Sequence, residues 1–157
     1  MANQAVNYEA RLREAQEIFE KFKNSMIEKD MDKFIELFDE NVIFEFPFAP
    51  KGYTLKLEGK SALYKYVKEI PNKIELSKFK EPTFHLTLNP NVIIIEFGIE
   101  EGQAIITGKP YLQSYISVIE TKENKIVHYK DYWNPVVALA ALGDESSFLE
   151  VYKAQQQ

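Results

Sequence analysis

The segment Lys130–Pro135 places one carboxylate among aromatic residues, an arrangement suited to proton transfer. From Ile126 onward the residues alternate as in a β-strand. One face of that strand is apolar and aromatic apart from its carboxylate: Val127, Tyr129, Asp131 and Trp133. The other face takes Ile126, His128, Lys130 and Tyr132. A carboxylate set between two aromatic rings would lose water, and this loss would raise its pKa from about 3.9 toward values useful in acid–base catalysis. The alternative is a surface strand whose carboxylate caps the next turn.

Length and composition indicate one ordinary globular domain. We expect a single domain over residues 1–157, with a core of about 8–143 and with 144–157 as a C-terminal tail or short helix. The aromatic content of 13% is high, with eleven Phe, nine Tyr and one Trp. A roomy aromatic cavity would explain this surplus, and so would a large apolar dimer face.

Charge and residue usage exclude several classes of function. A net charge of −5 argues against nucleic acid or an anionic membrane as partner, because both require a basic patch. The absence of cysteine excludes disulfides, thiolate metal sites and cysteine nucleophiles, and it fits a reducing compartment. No secretory signal opens the chain and no apolar run approaches the roughly 20 residues that span a bilayer, so we expect a cytoplasmic protein.

No cofactor or metal motif stands out in the sequence. The six glycines are scattered and form neither a phosphate loop nor a dinucleotide fingerprint. The two histidines are isolated from carboxylates at ligand spacing. We therefore expect neither a metal nor an organic cofactor.

Helical periodicity predicts three helices in the first part of the chain. An apolar stripe at steps of three and four marks the first helix: Leu12, Ala15, Phe19, Phe22 and Met26. Asp30 suits the N-cap of a second, short helix that carries Phe34, Leu37 and Phe38. Ser61 is expected to cap the third helix, which would carry one apolar side: Leu63, Tyr66, Val67 and Ile70.

The rest of the chain is typical of an antiparallel sheet. Segments with strand character are Val42–Phe46, Tyr53–Leu57, Ile74–Phe79, Thr83–Leu88, Val92–Gly102, Lys109–Thr121 and Lys125–Trp133. After them, Val136–Leu142 is predicted to be helical up to Gly143, and Ser147–Ala154 suits a last short helix. Helices followed by a sheet predict the α+β class, with helices covering one face of the sheet.

Three motifs carry a resemblance to a known family. Phe44-Glu-Phe-Pro-Phe-Ala-Pro50 follows the first helices, Leu57-Glu-Gly-Lys60 opens the third, and Asp131-Tyr-Trp-Asn-Pro135 ends the last strand. Over roughly residues 8–143 the chain resembles the SnoaL-like group of the nuclear transport factor 2-like superfamily. That superfamily also includes ketosteroid isomerases and the phenazine-biosynthesis A/B proteins.

The resemblance implies a cone-shaped α+β fold. A strongly curved antiparallel sheet with a mixed edge would wrap around the N-terminal helices and enclose an apolar pocket. The outer face of the sheet would form a homodimer.

The resemblance also implies which residue does the chemistry. Ketosteroid isomerases place an Asp before a proline on the first strand, but Phe46 occupies that position here, and their second Asp corresponds approximately to Ser117. These departures argue against steroid isomerisation. The phenazine proteins carry a Glu in a strand that ends in a similar Asn-Pro, and Asp131 sits at the matching place; their His has no equivalent in Phe79-Lys-Glu-Pro82. SnoaL-type cyclases likewise use a pocket-facing Asp.

The pairing of the last two strands decides which residues accompany Asp131. A three-residue loop over Glu123–Lys125 pairs Lys122 with Ile126. Counting back gives three pairs on the carboxylate's face: Ser117 with Asp131, Ile119 with Tyr129, and Tyr115 with Trp133. A two-residue loop would shift the pairing by one and put Ser117 on the other face. We favour the three-residue loop, because it brings a polar residue beside the carboxylate.

The expected site is a proton-transfer cluster in an aromatic pocket. Asp131 is the acid/base candidate, with Tyr115 or Ser117 as its hydrogen-bond partners. The pocket wall would be Phe44, Phe46, Tyr129 and Trp133. Ordinary core packing around a satisfied carboxyl is the alternative. Glu96 could be a second carboxylate in the pocket, although a surface or dimer-face role is favoured. Glu45 is assigned to the surface, His85 to the surface or an interface, and His128 to the face opposite Asp131.

These features predict a small-molecule-binding protein. The leading hypothesis is a cofactor-independent acid–base enzyme of isomerase, cyclase or hydrolase-like type that acts on a small apolar organic ligand. The sequence reveals no clear donor for an oxyanion. The alternative is a non-catalytic ligand-binding or dimerisation module on the same fold.

Overall fold

Five α-helices and seven strands follow one another along residues 7–157, the part of the protein that the computed structural model describes, the side chain of Glu145 excepted. A short 3-10 turn at Ile70–Asn72 separates α3 from β3. In chain order the elements are α1 Tyr8–Glu28, α2 Met31–Ile35, β1 Phe38–Glu45, β2 Lys56–Glu58, α3 Lys60–Val67, β3 Ile74–Phe79, β4 Thr83–Leu86, β5 Val92–Ala104, β6 Ser114–Lys122, β7 Lys125–Trp133, α4 Pro135–Leu142 and α5 Glu145–Gln155.

The second helix begins as predicted but ends earlier. The Asp30 side chain accepts a hydrogen bond from the backbone N–H of Lys33 at 3.0 Å, which confirms the N-cap. The helix ends at Ile35, so its expected extension to Phe38 is wrong. Phe38 instead opens β1 and pairs with Ile126 of β7, because this pairing satisfies backbone groups and buries the Phe38 ring.

The third helix begins one residue before the predicted cap. Gly59 is its N-cap, with a positive φ of 88°, and the Gly59 N–H donates to the carbonyl of Val42 at 2.7 Å. Ser61 already lies inside the helix, so the prediction that it caps this helix is wrong. The left-handed entry that only glycine adopts without strain is what turns the chain from β2 into α3.

The strands form one mixed sheet in the order β2-β1-β7-β6-β5-β3, with β4 paired to β5. The pairing of β1 with β7 is parallel, and the other strand pairs are antiparallel. The sheet and the helices on its inner face make up the predicted α+β class. The bounds of β3 and β7 agree with the sequence prediction.

The β6 strand begins later than its sequence suggests. The segment Lys109–Thr121 was predicted to be one strand, but β6 starts at Ser114. Pro110 makes an isolated bridge with Gln103, and Tyr111 donates its N–H to the carbonyl of Gly102 at 2.9 Å. Residues 109–113 therefore approach β5 without forming a regular ladder.

The β6–β7 hairpin combines a short turn with a bulge. The turn has two residues, Glu123 and Asn124, both with positive φ, and Lys122 pairs with Lys125. The predicted pairing of Lys122 with Ile126 is therefore wrong. A bulge at Val127 then adds one residue to β7, since Thr121 pairs with Ile126 and Glu120 pairs with His128.

This bulge restores the predicted pairing further along the hairpin. Ser117 lies opposite Asp131 and Tyr115 lies opposite Trp133, as expected. The bulge also moves Ile126 to the inner face, where it is 2% exposed and packs in the same core as Tyr129. The assignment of Ile126 to the face opposite Asp131 is therefore wrong, because simple alternation does not count an inserted residue.

An aromatic core fills the space between the helices and the sheet. Phe19 of α1 is 3% exposed and has four aromatic neighbours: Phe22, Phe79, Phe84 and Phe97. These pairs are mostly edge-to-face, with centroids 5.3–6.5 Å apart, the geometry that aromatic rings prefer. Within residues 7–157, each helix is too short or too polar to traverse a bilayer.

Candidate active site

A cavity of about 690 Å³ lies between the inner face of the sheet and helices α1, α3 and α4. Its lining is mainly apolar and aromatic. Of the seven residues that the sequence assigns to a site, six line this cavity: Phe44, Phe46, Tyr115, Tyr129, Asp131 and Trp133. The seventh, Ser117, is fully buried behind the wall. Cavities of this size and composition suit small organic ligands.

Asp131 is a carboxyl group in an apolar setting. Strand β7 directs the Asp131 side chain inward, and the residue is half-buried because it borders the cavity. Its Oδ1 atom is buried and accepts no hydrogen bond from the part of the chain that the structure describes. Burial raises the pKa of Asp131 from its ordinary 3.8 to about 7, since desolvation disfavours the charged form. Near neutral pH this carboxyl can both accept and donate a proton.

Ser117 is hydrogen-bonded to Tyr129 rather than to the carboxyl group of Asp131, which lies opposite it on β7. The Ser117 Oγ and Tyr129 Oη atoms are 2.5 Å apart, and both side chains are buried. Burial raises the pKa of Tyr129 above its ordinary 10.0, the nearby charge of Asp131 adds to this, and the bond to Ser117 opposes it. This hydrogen bond satisfies two buried hydroxyls and fixes the Tyr129 ring in the cavity wall.

Tyr115 is paired with a residue that the sequence did not single out. Its Oη lies 3.1 Å from the Oη of Tyr111, and its ring stacks on Phe97 with centroids 4.9 Å apart. Burial raises the pKa of Tyr115 well above 10.0, with smaller contributions from Tyr111 and from the charge of Asp131. Tyr111 is 5% exposed, and its pKa is also raised, mainly by burial. Both phenols line the cavity and are neutral at physiological pH.

Tyr111 and Tyr66 are among the cavity tyrosines that sequence reasoning missed, each for a local reason. Tyr111 fell inside a stretch that was assigned to a strand, although Pro110 signals a break in the ladder. Tyr66 was assigned to the packing face of α3, yet it is 39% exposed and lines the cavity with its ring 5.2 Å from that of Phe46. Burial, then the charge of Asp131, raise the pKa of Tyr66.

Stacked aromatic rings make the wall beside these groups. Phe44 of β1 stacks on Tyr129 of β7 with centroids 4.5 Å apart and planes at 6°. Phe46 extends the wall, with its centroid 5.0 Å from that of Phe44. The parallel pairing of β1 with β7 sets Phe44 opposite Tyr129. The wall therefore depends on a contact between strands distant in sequence.

Gln113 fixes the end of β7 that carries the site. It is 1% exposed; its Oε1 accepts from the N–H groups of Ser114 and Asn134, and its Nε2 donates to the carbonyl of Asn134. The Asn134 side chain in turn caps α4 by accepting from the N–H of Val136 at 3.0 Å. The Asp131–Pro135 motif thus ends strand β7 at Trp133 and starts helix α4 at Pro135.

The weaker candidates lie outside the cavity, on the opposite face of the sheet. His85 bonds Glu96 at 2.6 Å, and His128 bonds Glu45 at 2.5 Å. Across residues 7–157, no group of three or more His, Asp or Glu side chains gathers as a metal site would require.

Two curated relatives resemble the chain in sequence. The uncharacterized protein YesE of Bacillus subtilis (strain 168) is 50% identical over 134 residues, which cover 85% of this chain and 89% of YesE. The uncharacterized PhzA/B-like protein PA3332 of Pseudomonas aeruginosa is 34% identical over 108 residues, which cover 69% of this chain and 75% of that protein. No protein-family model matches the chain.

Solved structures share the fold. A crystal structure of an isomerase candidate from Bacillus subtilis is 49% identical, covers 83% of this chain and 94% of that chain, and superposes with a TM-score of 0.80. A polyketide cyclase candidate from Xanthomonas campestris gives 0.69 at 12% identity, with coverages of 85% and 99%. A nuclear transport factor 2-like protein from Anabaena variabilis gives 0.63 at 20% identity, with coverages of 84% and 96%. The last two show likeness of fold alone.

Proposed function

Because this chain belongs to the SnoaL-like, phenazine-biosynthesis A/B-like group of the nuclear transport factor 2-like superfamily, we propose that it is a cofactor-independent acid–base enzyme. Its substrate would be a small, largely apolar organic molecule held in the aromatic cavity. The reaction would be an enolisation, isomerisation, cyclisation or ring opening in which Asp131 moves a proton. The 49% identity to an isomerase candidate from Bacillus subtilis supports this class of chemistry.

One observation carries the proposal: the Asp131 carboxyl borders an apolar cavity of about 690 Å³ and has a pKa of about 7 because of burial. A group whose pKa is near the working pH is the most effective proton carrier, because it is present in both forms. General acid–base help of this kind contributes about 10²–10⁴-fold, so the cavity must supply positioning as well.

The test compares the wild type with Asp131→Asn, which keeps the size of the side chain and removes its basicity. Both proteins are incubated with small carbonyl, polyketide-like and terpenoid compounds, and binding is read from the thermal midpoint and native mass. Chromatography of the mixtures then detects product. We expect shared ligands and product from the wild type alone, with Glu96→Gln on the outer face as a control that behaves as the wild type. Product from Asp131→Asn at the wild-type rate would refute the proposal.

A second candidate function is a non-catalytic ligand-binding module. It is favoured by the buried Oδ1 of Asp131, which accepts no hydrogen bond from the described residues 7–157, since a catalytic carboxyl is usually held in place by a donor. In that case wild type and Asp131→Asn would bind the same ligands and neither would form product.

A further inference from the structure

We propose that the hydroxyls of Tyr111 and Tyr115 form the oxygen-binding group of the Asp131 cavity, and that the substrate is an uncharged carbonyl compound with an acidic C–H beside its carbonyl. This inference rests on the proposed function. It adds a second ligand-contacting group to the site and narrows the substrate class to enolisable ketones and related carbonyl compounds.

The geometry of the tyrosine pair leaves one proton for a ligand. The two Oη atoms are 3.1 Å apart, so one hydroxyl donates to the other and a single O–H remains. Both side chains line the same cavity as Asp131. A hydroxyl that accepts a hydrogen bond becomes a stronger donor, because the two bonds polarise one another. The pair is therefore a better donor to a ligand oxygen than an isolated phenol.

The backbone and a buried amide hold Tyr111 in place. Its N–H donates to the carbonyl of Gly102 at 2.9 Å, and Gln113 two residues on is locked to Asn134. Burial raises the pKa of Tyr111, and the contacts with Tyr115 and Gln113 partly oppose this shift. Whichever of the two phenols donates within the pair, one O–H proton remains for a ligand.

The charges around the cavity favour an uncharged ligand at this depth. Besides Asp131, the charged residues that line the cavity are Lys65, Glu69 and Lys73, and all three are exposed. They therefore belong to the mouth of the cavity rather than to its interior. A ligand carboxylate next to the buried Asp131 would meet a like charge, and none of the described residues 7–157 places a cation beside it in the interior of the cavity. Such an arrangement is costly in a low dielectric. A carbonyl oxygen needs only the single donor that the tyrosine pair supplies.

The proton transfer that this arrangement supports is balanced without a further reactant. The Asp131 carboxylate takes a proton from the carbon beside the carbonyl, and the C–H electron pair becomes the C=C bond of an enolate. The carbonyl oxygen gains the negative charge and is stabilised by the O–H of the tyrosine pair. Asp131 then returns the proton to the same carbon or, in a conjugated ligand, to the far end of the enolate.

The experiment uses 2-acetylnaphthalene, a ketone that accepts but does not donate hydrogen bonds, and 2-ethylnaphthalene, which has a similar shape and no oxygen. Equilibrium dialysis measures both dissociation constants for the wild type, for Tyr111→Phe, Tyr115→Phe and the double variant, and for Tyr64→Phe. Tyr64 bonds Asp32 at 2.8 Å on the outside of the molecule and serves as the matched control for a lost phenol hydrogen bond.

We expect the wild type and the control to prefer the ketone by about three- to tenfold, the value of one neutral hydrogen bond. The double variant should bind both compounds equally, with unchanged affinity for 2-ethylnaphthalene. The infrared C=O stretch of the bound ketone should lie lower in the wild type than in the double variant. A wild type without preference, or a double variant that keeps it, would overturn the proposal. Tyr115→Phe alone provides the same test if a variant at Tyr111 fails to fold.

Deuterium uptake separates this inference from the proposed function. In D₂O, transfer by Asp131 exchanges the methyl protons of 2-acetylnaphthalene, and mass spectrometry records the exchange. If the ketone preference depends on the tyrosine pair but the wild type exchanges no protons, the oxygen-binding role of the pair is supported and proton transfer by Asp131 is refuted. If exchange is lost in Asp131→Asn but unaffected in the double variant, Asp131 is supported as the proton carrier and the role of the tyrosines is overturned.

Discussion

Asp131 owes its character to the side chains around it rather than to its own hydrogen bonds. The negative charge of Asp131 contributes to the raised pKa values of four tyrosines: Tyr66, Tyr111, Tyr115 and Tyr129. Its Oδ1 atom has no donor among residues 7–157. Desolvation is therefore unopposed, and the protonated carboxyl is favoured to near neutrality.

The raised pKa predicts how stability depends on pH. Because the folded-state value of about 7 exceeds the ordinary 3.8, Asp131 contributes most to stability below about pH 4, and this contribution is lost as pH rises through 7. The full difference is roughly 4 kcal/mol. Urea unfolding from pH 4 to 8 should show Asp131→Asn gaining stability relative to the wild type over that interval. A difference that stays constant across the interval would contradict the pKa.

The Ser117–Tyr129 bond predicts a structural coupling. Ser117→Ala leaves a buried phenol hydroxyl without its partner, so we expect the free energy of unfolding to fall by about 1–3 kcal/mol. Tyr129→Phe should lower the free energy of unfolding less in the Ser117→Ala background than in the wild type. The difference is the coupling energy that a double-mutant cycle measures. Additive effects in urea unfolding would mean that the two hydroxyls are not bonded.

At the level of elements, the path of β5 past residues 109–113 sets the position of Tyr111. A Cβ added at Gly102 would lie 2.8 Å from Ile99 Cγ2 and 2.9 Å from the carbonyl oxygen of Tyr111. Such short contacts can be relieved only if the backbone moves. Gly102 thus permits the approach that brings the Tyr111 hydroxyl to Tyr115.

Replacing this glycine should separate the two segments. We expect Gly102→Ala to lower the free energy of unfolding by about 1–3 kcal/mol and to weaken the Tyr111–Tyr115 contact. Gly98→Ala in the same strand is the comparison variant, because its added Cβ would make a milder contact, at 3.3 Å from the carbonyl oxygen of Gln113. Denaturant unfolding of both variants measures the effect, and equal losses would argue against a special role for the close approach.

At the scale of the whole molecule, the outer face of the sheet is a candidate surface for self-association. It carries apolar side chains from four strands: Ile43, Ile94, Ile116, Val118 and Tyr132. Ile116 is 43% exposed and Ile43 is 36% exposed. The two His–Glu pairs flank this apolar surface. Pairing of two such faces would leave the cavity on the inner face of each protomer.

We propose that two copies associate through this face, so sedimentation should show a dimer. Ile116→Lys places a charge at the apolar surface and should raise the dissociation constant by about 10–100-fold. Leu149→Lys, at an exposed position on α5, is the control and should leave the dimer intact. A wild type that is monomeric at high protein concentration would refute this surface.

The sequence by itself determined the α+β class, the location of β7 and the inward orientation of Asp131. These features follow from local regularities: a helical stripe with a period near 3.6, strand alternation with a period of two, and an Asn-Pro motif that ends a strand. The pairing of Ser117 with Asp131 was also predicted, but for the wrong reason, since a two-residue turn and a bulge produce it together.

Only the tertiary structure decided which hydroxyls meet. Tyr111 lies outside the regular ladder, so no periodicity places its oxygen 3.1 Å from that of Tyr115. The bond of Ser117 to Tyr129, rather than to Asp131, likewise depends on how two side chains turn within one face. Such contacts depend on the chain path through bulges and irregular segments and on packing between distant strands, which a single sequence with local periods does not encode visibly.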